Sequence, residues 1–281
     1  MATEPIDLHH QSSPRVIGSY VVETAGGLAL FDCGPSSCIR GLKAGLEARG
    51  LALHDVRHLL LSHIHLDHAG AAGVLVREHG ALQVHVSGVG APHLADPSRL
   101  ERSARRLYGD TFDVLWGELA PVPEENLHVV GERVLGLECF PAPGHASHHV
   151  VYLHEDGTAY CGDAAGVRIQ PHAFVSPPTP PPEIDVEAWQ RTLDELGRLR
   201  PKRLALTHFG IAADPPRHLD ELRRRLDAWT ALVGSGASEA DFAAAANDGL
   251  PSGAREEYER AMPLWQSYAG LRRWAEKRHA A

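Results

Sequence analysis

The fold is indicated most clearly by residues 59–70, which read Leu59-Leu60-Leu61-Ser62-His63-Ile64-His65-Leu66-Asp67-His68-Ala69-Gly70. The three leucines form a short apolar run that is typical of a buried β-strand, and a polar, turn-like segment ends it. Four side chains that can bind a metal ion follow within six positions. Because open α/β sheets build their sites at the carboxyl ends of strands, the stretch predicts a metal site at this strand end.

Three more predicted strands end in residues of the same kind. His145 follows a Pro- and Gly-containing turn at 141–144, Asp163 follows the apolar segment 158–161, and His208 follows the segment 203–206. The chain has 19 histidines, so a single histidine is a weak indication of a site, whereas a pattern repeated at four strand ends is a strong one. The predicted metal-binding residues are His63, His65, Asp67, His68, His145, Asp163 and His208.

These residue types suit a site with two metal ions. Imidazole nitrogen is a good ligand for zinc and similar divalent ions, and a carboxylate oxygen can bridge two of them. Two divalent ions, Asp67, Asp163 and one bridging hydroxide leave a net charge of about +1. Such a centre favours polarised carbonyl or phosphoryl oxygens and the anion that forms when they are attacked.

Composition limits the class of partner. The chain has 281 residues, 43% of them apolar, as is ordinary for a globular protein. No apolar stretch is long enough to span a bilayer, and residues 1–7 lack the pattern of a signal peptide. The four cysteines form no Cys-x-x-Cys pair, which favours reduced thiols in a cytoplasmic protein. The formal charge of −9 argues against nucleic acid, so we expect a small-molecule substrate and no membrane partner, and leave a homo-oligomer open.

Two further segments carry predictions. Residues 127–140 predict a β-hairpin that turns at Gly131. Residues 97–117 place Arg99, Arg102, Arg105 and Arg106 beside leucines. This pattern favours an amphipathic surface helix with a basic face, and the alternative is a clamp for an anionic substrate.

The ordered set His63-x-His65-x-Asp67-His68, His145, Asp163 and His208 resembles the metallo-β-lactamase superfamily of hydrolases. The strand end Asp32-x-Gly34 and the loop Pro143-Gly144-His145 resemble that family too, and the resemblance covers roughly residues 15–210. It implies a mixed α/β (α+β) fold, a four-layer αββα sandwich with the site at one edge. Past Asp214 the sequence becomes helical and charged, so we expect a metallo-β-lactamase-like catalytic domain at 1–215 and a helical C-terminal region at 216–281.

The resemblance also implies a role for each residue. The first metal ion would be held by His63, His65 and His145. The second would be held by Asp67, His68 and His208, and Asp163 would bridge the two. Asp67 would also accept or relay a proton. Asp32 and His149 would support the ligands, with a turn cap and a local hydrogen bond as their alternative roles. Zinc is the default metal for such a set, with iron or manganese as alternatives.

Residues near the ligands indicate the branch within the superfamily. The β-lactamases usually lack an aspartate where Asp163 stands, and the acyl-homoserine lactonases place a tyrosine shortly after it, where this chain has Ala164-Ala165-Gly166. The ligands and the helical C-terminal region resemble the glyoxalase II-like branch. We therefore expect a dinuclear hydrolase of a small-molecule ester, thioester or lactone that acts through a metal-bridging hydroxide. The alternatives are phosphodiester or phosphotriester hydrolysis at the same centre and a metal-binding module without turnover.

Overall fold

Two six-stranded β-sheets face each other in the computed structural model, which describes residues 4–280. The first sheet has the order β1-β2-β3-β4-β5-β6, and the strands from β3 to β6 are parallel. Its strands are β1 Ile6–Asp7, β2 Gly18–Thr24, β3 Gly27–Phe31, β4 Val56–Leu60, β5 Gln83–Val86 and β6 Leu127–Val129.

The second sheet has the order β12-β11-β10-β9-β8-β7 and is antiparallel except for the pair β10 and β11. Its strands are β7 Arg133–Val134, β8 Leu137–Pro141, β9 Val150–Leu153, β10 Thr158–Tyr160, β11 Arg203–Leu206 and β12 Gly210–Ala212. The predicted hairpin turn at Gly131 is therefore wrong, because β6 and β7 belong to different sheets, and the hairpin in this part of the chain is formed by β7 and β8. Gly131 lies in the connection between β6 and β7, and a local turn signal cannot show that a chain crosses from one sheet to another.

Helices cover the outer face of each sheet. The helices are α1 Ile39–Glu47, α2 Leu66–Ala69, α3 Ala72–Glu78, α4 Ala91–Ala95, α5 Ser98–Tyr108, α6 Phe112–Trp116, α7 Val186–Leu199, α8 Pro215–Gly234, α9 Glu239–Ala246, α10 Arg255–Ala261 and α11 Leu264–Ala280. Leu42 of α1 and Leu75 of α3 share a core with the first sheet, and Trp189 of α7 and Leu222 of α8 share another with the second. This is the predicted four-layer αββα sandwich.

A third core lies between the sheets and is largely aromatic. Tyr20 and Phe31 of the first sheet meet Tyr152 and Tyr160 of the second, with the Phe31 and Tyr160 ring centroids 5.3 Å apart. All four rings are buried, and tilted or edge contacts of this kind add to the stabilisation that their burial provides. The two sheets are thereby fixed against each other, which fixes the strand ends that carry the candidate site.

The C-terminal helices pack on the second half of the sandwich. Helix α11 contacts α8 and α9, and α8 contacts α7. The Thr179 hydroxyl donates to the Ser267 carbonyl at 3.0 Å, so the proline-rich segment, residues 177–182, lies against α11. The boundary between residues 215 and 216 stays a prediction. Within residues 4–280 we find no helix that is long and apolar enough to cross a membrane.

Candidate metal centre

The structure brings the seven predicted metal-binding residues together at one edge of the sandwich. The segment after β4 carries four of them, and the loop between β8 and β9 carries His145. Asp163 follows β10 and His208 follows β11. Because β10 and β11 are parallel neighbours, Asp163 and His208 leave adjacent carboxyl ends.

Three histidines form the first group. Nδ1 of His65 lies 2.9 Å from Nε2 of His63 and 2.9 Å from Nε2 of His145. His63 and His145 are buried, and His65 is partly exposed. Three nitrogens that converge in this way fit one divalent ion.

Asp67, His68 and His208 form the second group. Nε2 of His208 lies 3.3 Å from Oδ2 of Asp67, and Nε2 of His68 lies 3.7 Å from the same oxygen. Asp163 lies between the groups, with one carboxylate oxygen 3.4 Å from His68 Nε2 and the other 3.4 Å from His145 Nε2. Asp163 is therefore placed to serve both groups.

Hydrogen bonds to oxygen fix the orientation of three of these rings. Nδ1 of His68 donates to Oδ2 of Asp32 at 2.7 Å, Nδ1 of His145 donates to the Pro178 carbonyl at 2.8 Å, and Nδ1 of His208 donates to the Val16 carbonyl at 2.5 Å. When Nδ1 carries the hydrogen, the lone pair of a neutral imidazole is on Nε2. All three Nε2 atoms then point a lone pair into the cluster, as metal-binding histidines do.

The fit to metal ions can be tested on atoms that lack a protein partner. Among the described side chains, His68 Nε2, His208 Nε2 and Asp163 Oδ1 are buried and make no hydrogen bond. Leaving such atoms unpaired is costly, and a divalent ion would satisfy them. The mixture of imidazole nitrogen and carboxylate oxygen is a donor set that zinc and similar ions accept.

Burial keeps the first group of imidazoles neutral. It lowers the pKa of His63 well below its ordinary value, lowers that of His65 to about 3, and also lowers the pKa of His145. A ligating histidine must be neutral, so these pKa directions favour metal binding.

In the second group, neighbouring carboxylates raise the pKa of the histidines. Burial alone would lower the pKa of His68, but Asp163 and Asp67 raise it well above its ordinary value. Burial alone would raise the pKa of Asp163, but His68 and its neighbouring histidines lower it well below its ordinary value. This part of the cluster favours a positive charge, which a proton or a metal ion can supply.

Asp32 lies behind the second group and supports it. Its side chain accepts hydrogen bonds from the Ser62 backbone at 2.8 Å and the Thr207 hydroxyl at 2.7 Å, in addition to the bond from His68. Asp32 is completely buried. Asp32 is thus bonded to His68 and to both sheets, and its role as a support for a metal ligand stays a prediction.

His149 supports the loop that carries Asp163. Its Nε2 accepts hydrogen bonds from the backbone N–H groups of Asp163 and Ala164, both at 3.2 Å. Its ring stacks on that of His63 at 4.8 Å between centroids. His149 therefore lies behind the cluster, where it contacts His63 of the first group and the backbone of Asp163.

Gly144 allows the loop before His145 to come close to α7. It has a φ of 138°, and a Cβ atom there would lie 2.3–2.6 Å from the Trp189 backbone nitrogen, Cα and Cβ atoms. No side chain fits at that distance. The close approach of this loop to α7 therefore requires glycine at position 144.

A cavity of about 450 Å³ opens beside the cluster, and of its walls the sequence indicated only the arginines of residues 97–117, as the alternative to a surface helix. His65, Asp67, His145 and Asp163 form its base. Its walls come from α5, α6, the proline-rich segment and the start of α11, which are far apart in the sequence. His148 also lines it, and the surplus of histidines in the chain hides the one signal for that residue.

Comparisons with known proteins agree with this geometry. The model of the metallo-beta-lactamase superfamily matches residues 13–208. The metallo-beta-lactamase fold-containing protein ST1585 of Sulfurisphaera tokodaii is 27% identical over 216 residues, which is 74% of this chain and 77% of that protein. The probable metallo-hydrolase YqjP of Bacillus subtilis is 25% identical over 232 residues, which is 72% of this chain and 70% of that protein.

Solved structures share the fold over nearly the whole chain. The crystal structure of ST1585 superposes with a TM-score of 0.66 at 22% identity and covers 97% of both chains. The metallo-beta-lactamase family protein TTHA1429 of Thermus thermophilus superposes with a TM-score of 0.67 at 24% identity, over 94% of this chain and 89% of that one. This chain therefore belongs to the metallo-beta-lactamase superfamily, whose members bind metal ions, and its His/Asp cluster is able to do so.

Proposed function

We propose that this protein is a dinuclear metal-dependent hydrolase that acts on a small-molecule ester, thioester or lactone. The observation that carries the proposal is the convergence of seven side chains into overlapping three-residue groups, with buried lone pairs that no protein donor satisfies. His63, His65 and His145 would hold one ion, and Asp67, His68 and His208 the other. Asp163 would be shared. When bound, two divalent ions lower the pKa of water and polarise a substrate carbonyl.

Asp67 is the side chain in this set that we assign to proton transfer. It lines the cavity, and its side chain is 19% exposed, whereas those of His68 and Asp163 are at most 2% exposed. A carboxylate that faces both the metal-binding nitrogens and the substrate space can accept a proton from the attacking water and hand it to the leaving group. Asp163, the other carboxylate of the set, is almost completely buried.

The cavity favours a carbonyl substrate of small size. Leucines, prolines and a tryptophan form much of its wall, which suits an apolar acyl group. The ligand set and the C-terminal helices favour the glyoxalase II-like branch, and zinc is the metal we propose first. A cytoplasmic location is part of the same proposal, since all four cysteines are free thiols. A small-molecule partner fits a cavity of this size better than nucleic acid does.

Phosphodiester or phosphotriester hydrolysis is the second candidate. The observation in its favour is that Arg99 and Arg106 line the cavity and would attract an anionic substrate. The two candidates share the metal centre and differ in the bond that is broken, so a substrate panel separates them.

The test combines elemental analysis with turnover of thioesters, lactones, phosphodiesters and β-lactams. We expect two ions per chain and turnover of a carbonyl substrate. His65→Ala and Asp163→Ala should lose metal and activity together, while His154→Ala, which changes a histidine beside the turn between β9 and β10, should lose neither. An active and fully metallated Asp163→Ala protein would contradict the proposal, as would a fully loaded protein that turns over no carbonyl substrate.

A further inference from the structure

We propose that the cavity beside the metal centre selects an amphipathic acyl substrate, with an apolar chain against α5 and an anionic group held by Arg99 and Arg106. This inference rests on the proposed hydrolase function and names its substrate class. The metal-binding residues at the base of the cavity fix where the carbonyl must lie. The walls then decide what else the substrate can carry.

One face of α5 forms a continuous apolar wall. Leu100, Ala104 and Leu107 line the cavity and follow each other at spacings of four and three residues, which places them on one side of a helix. Leu107 is 38% exposed, one of the few large apolar side chains with that much exposure in the described chain. An exposed apolar side chain that lines a cavity beside other apolar residues is typical of a binding surface.

The opposite walls are apolar as well. They come from Pro180 to Pro182, from Trp116 at the end of α6 and from Met262 before α11. Gln266 of α11 lies 3.4 Å from the Tyr108 hydroxyl, so α11 and α5 meet at the cavity. A polar substrate body would lose its water here without gaining partners, whereas an alkyl chain would gain by burial.

Arg99 and Arg106 place positive charge at the same cavity. They are seven residues apart, so they lie on one side of α5, next to the apolar wall. Arg105 points elsewhere, because it pairs with Glu101 at 2.9 Å and with Asp113 at 2.8 Å. Of the basic face that the sequence predicts, Arg99 and Arg106 thus line the cavity, whereas Arg105 pairs with acidic residues elsewhere.

Neither cavity arginine forms a close ion pair with a carboxylate of the described residues. Among the described residues, no carboxylate oxygen lies within 4.0 Å of Arg99 or Arg106, and Glu183 is the acid that lines this cavity away from the metal cluster. Glu183 accepts a hydrogen bond from the Ser147 hydroxyl at 2.7 Å. Away from the metal cluster, the cavity lining therefore carries two arginines and one carboxylate in a chain of net charge −9, which favours an anionic group on the substrate.

The substrate series that tests this varies chain length and charge separately. Acetyl to decanoyl thioesters are compared with an uncharged leaving thiol, N-acetylcysteamine, and with an anionic one, 3-mercaptopropanoate. A third arm places the carboxylate on the far end of the acyl chain. We expect kcat/KM to rise roughly two- to fourfold per methylene up to the length that the cavity holds. We expect one of the two anionic arms to exceed the neutral arm about tenfold at low salt, which also tells where the anion lies.

Matched variants assign the effect to the named residues. The double variant Arg99→Glu/Arg106→Glu should lower the ratio of anionic to neutral kcat/KM at least tenfold. Arg102→Glu, the same charge change on the same helix but outside the cavity, should leave that ratio unchanged. Ala104→Phe should shift the preferred chain to shorter acyl groups, and Val114→Phe, at a 67% exposed position outside the cavity, should not.

A binding measurement separates this inference from the hydrolase proposal. Octanesulfonate, which has an apolar chain and an anionic group but no bond to hydrolyse, should bind the metal-loaded protein in calorimetry. The double arginine variant should bind it at least tenfold more weakly, and Arg102→Glu should bind it normally. If no carbonyl compound is turned over but this pattern holds, the reaction is wrong and the cavity assignment stands. Binding or turnover that is independent of chain length, or an equal effect of Arg102→Glu, would overturn the inference.

Discussion

His68 Nδ1 donates a hydrogen bond to Asp32 Oδ2 at 2.7 Å, and both side chains are completely buried. The same carboxylate oxygen accepts a bond from the hydroxyl of Thr207, the residue before His208. Asp32 follows β3 in the first sheet, whereas Thr207 follows β11 in the second. One carboxylate therefore joins the two sheets at the point where both deliver a candidate ligand.

Asp32→Asn should weaken metal binding at the second group. An amide presents one oxygen in place of two and brings an N–H toward groups that already donate, so His68 loses its fixed orientation. Loss of such a partner typically costs about 10–100-fold in metal affinity. Competition with a chelator measures the affinity. Asp156→Asn, which changes a carboxylate in the turn between β9 and β10, is the control and should bind metal normally. Equal metal affinity in Asp32→Asn and the native protein would refute this role.

Chelation should lower the midpoint of thermal unfolding. Without ions, the buried carboxylates and lone pairs of the cluster lose their counter-charge. An ion present at a hundredfold excess over its Kd stabilises the folded chain by about 2.7 kcal/mol per site. Scanning calorimetry with chelator and after zinc is restored checks the effect and its reversal. A midpoint that is insensitive to chelator would argue against metal as part of the folded protein.

His149→Ala should impair the centre without removing a ligand. The variant leaves the backbone N–H of Asp163 buried without an acceptor, at about 1–3 kcal/mol, and leaves the N–H of Ala164 with the Cys161 carbonyl at 3.1 Å as its acceptor. We expect lower stability and weaker metal retention. His149→Gln restores an acceptor oxygen and should recover part of both. If glutamine and alanine behave alike, the hydrogen bonds to the Asp163 loop are not what His149 contributes.

His218 should make the protein less stable in mild acid. Its Nε2 donates to the Ala165 carbonyl at 2.7 Å, and burial lowers its pKa from 6.5 to about 4. The unfolded chain therefore takes up this proton more readily than the folded one. The contribution of His218 to the free energy of unfolding is fully present above pH 6.5. It falls by up to about 3 kcal/mol as the pH drops toward 4.

Denaturant unfolding at several pH values between about 7 and 4 measures this loss. His218→Gln keeps a donor for Ala165 but cannot titrate, so its stability should change less with pH than that of the native chain. His54→Gln, at an exposed position, should leave the pH dependence as it is. Parallel pH profiles for His218→Gln and the native chain would show that His218 is not responsible.

Gly270→Ala should loosen the contact between α11 and the proline-rich segment. A Cβ atom at this position would lie 1.9 Å from the Thr179 carbonyl oxygen, so one of the two backbones must move. Overpacking of this kind typically costs about 1–3 kcal/mol. Gly234→Ala, at the end of α8, meets nothing within 4 Å and is the matched control. Thermal unfolding should show a lower midpoint for the first variant and little change for the second.

The sequence was informative where local pattern determines structure. The predicted ligands all follow short apolar runs, and strand ends in this fold meet at one edge, so the cluster could be anticipated from the sequence alone. The hairpin about Gly131 was wrong because β6 pairs with β5 in the first sheet whereas β7 pairs with β8 in the second, and local signals do not reveal which sheet a strand joins. The cavity could not be predicted for the same reason, since Leu107, Pro181 and Met262 come together only through tertiary packing.

The chain order of the site has an evolutionary consequence. The last predicted metal ligand is His208, whereas Met262 and Gln266 of the cavity come later, from the segment around α10 and α11. Part of the cavity wall is thus encoded after the last predicted ligand, while α5 and the proline-rich segment precede His208. Substitution or exchange of the later part can change the accepted substrate while the ligands remain untouched, so new specificities can arise here without a loss of catalytic competence.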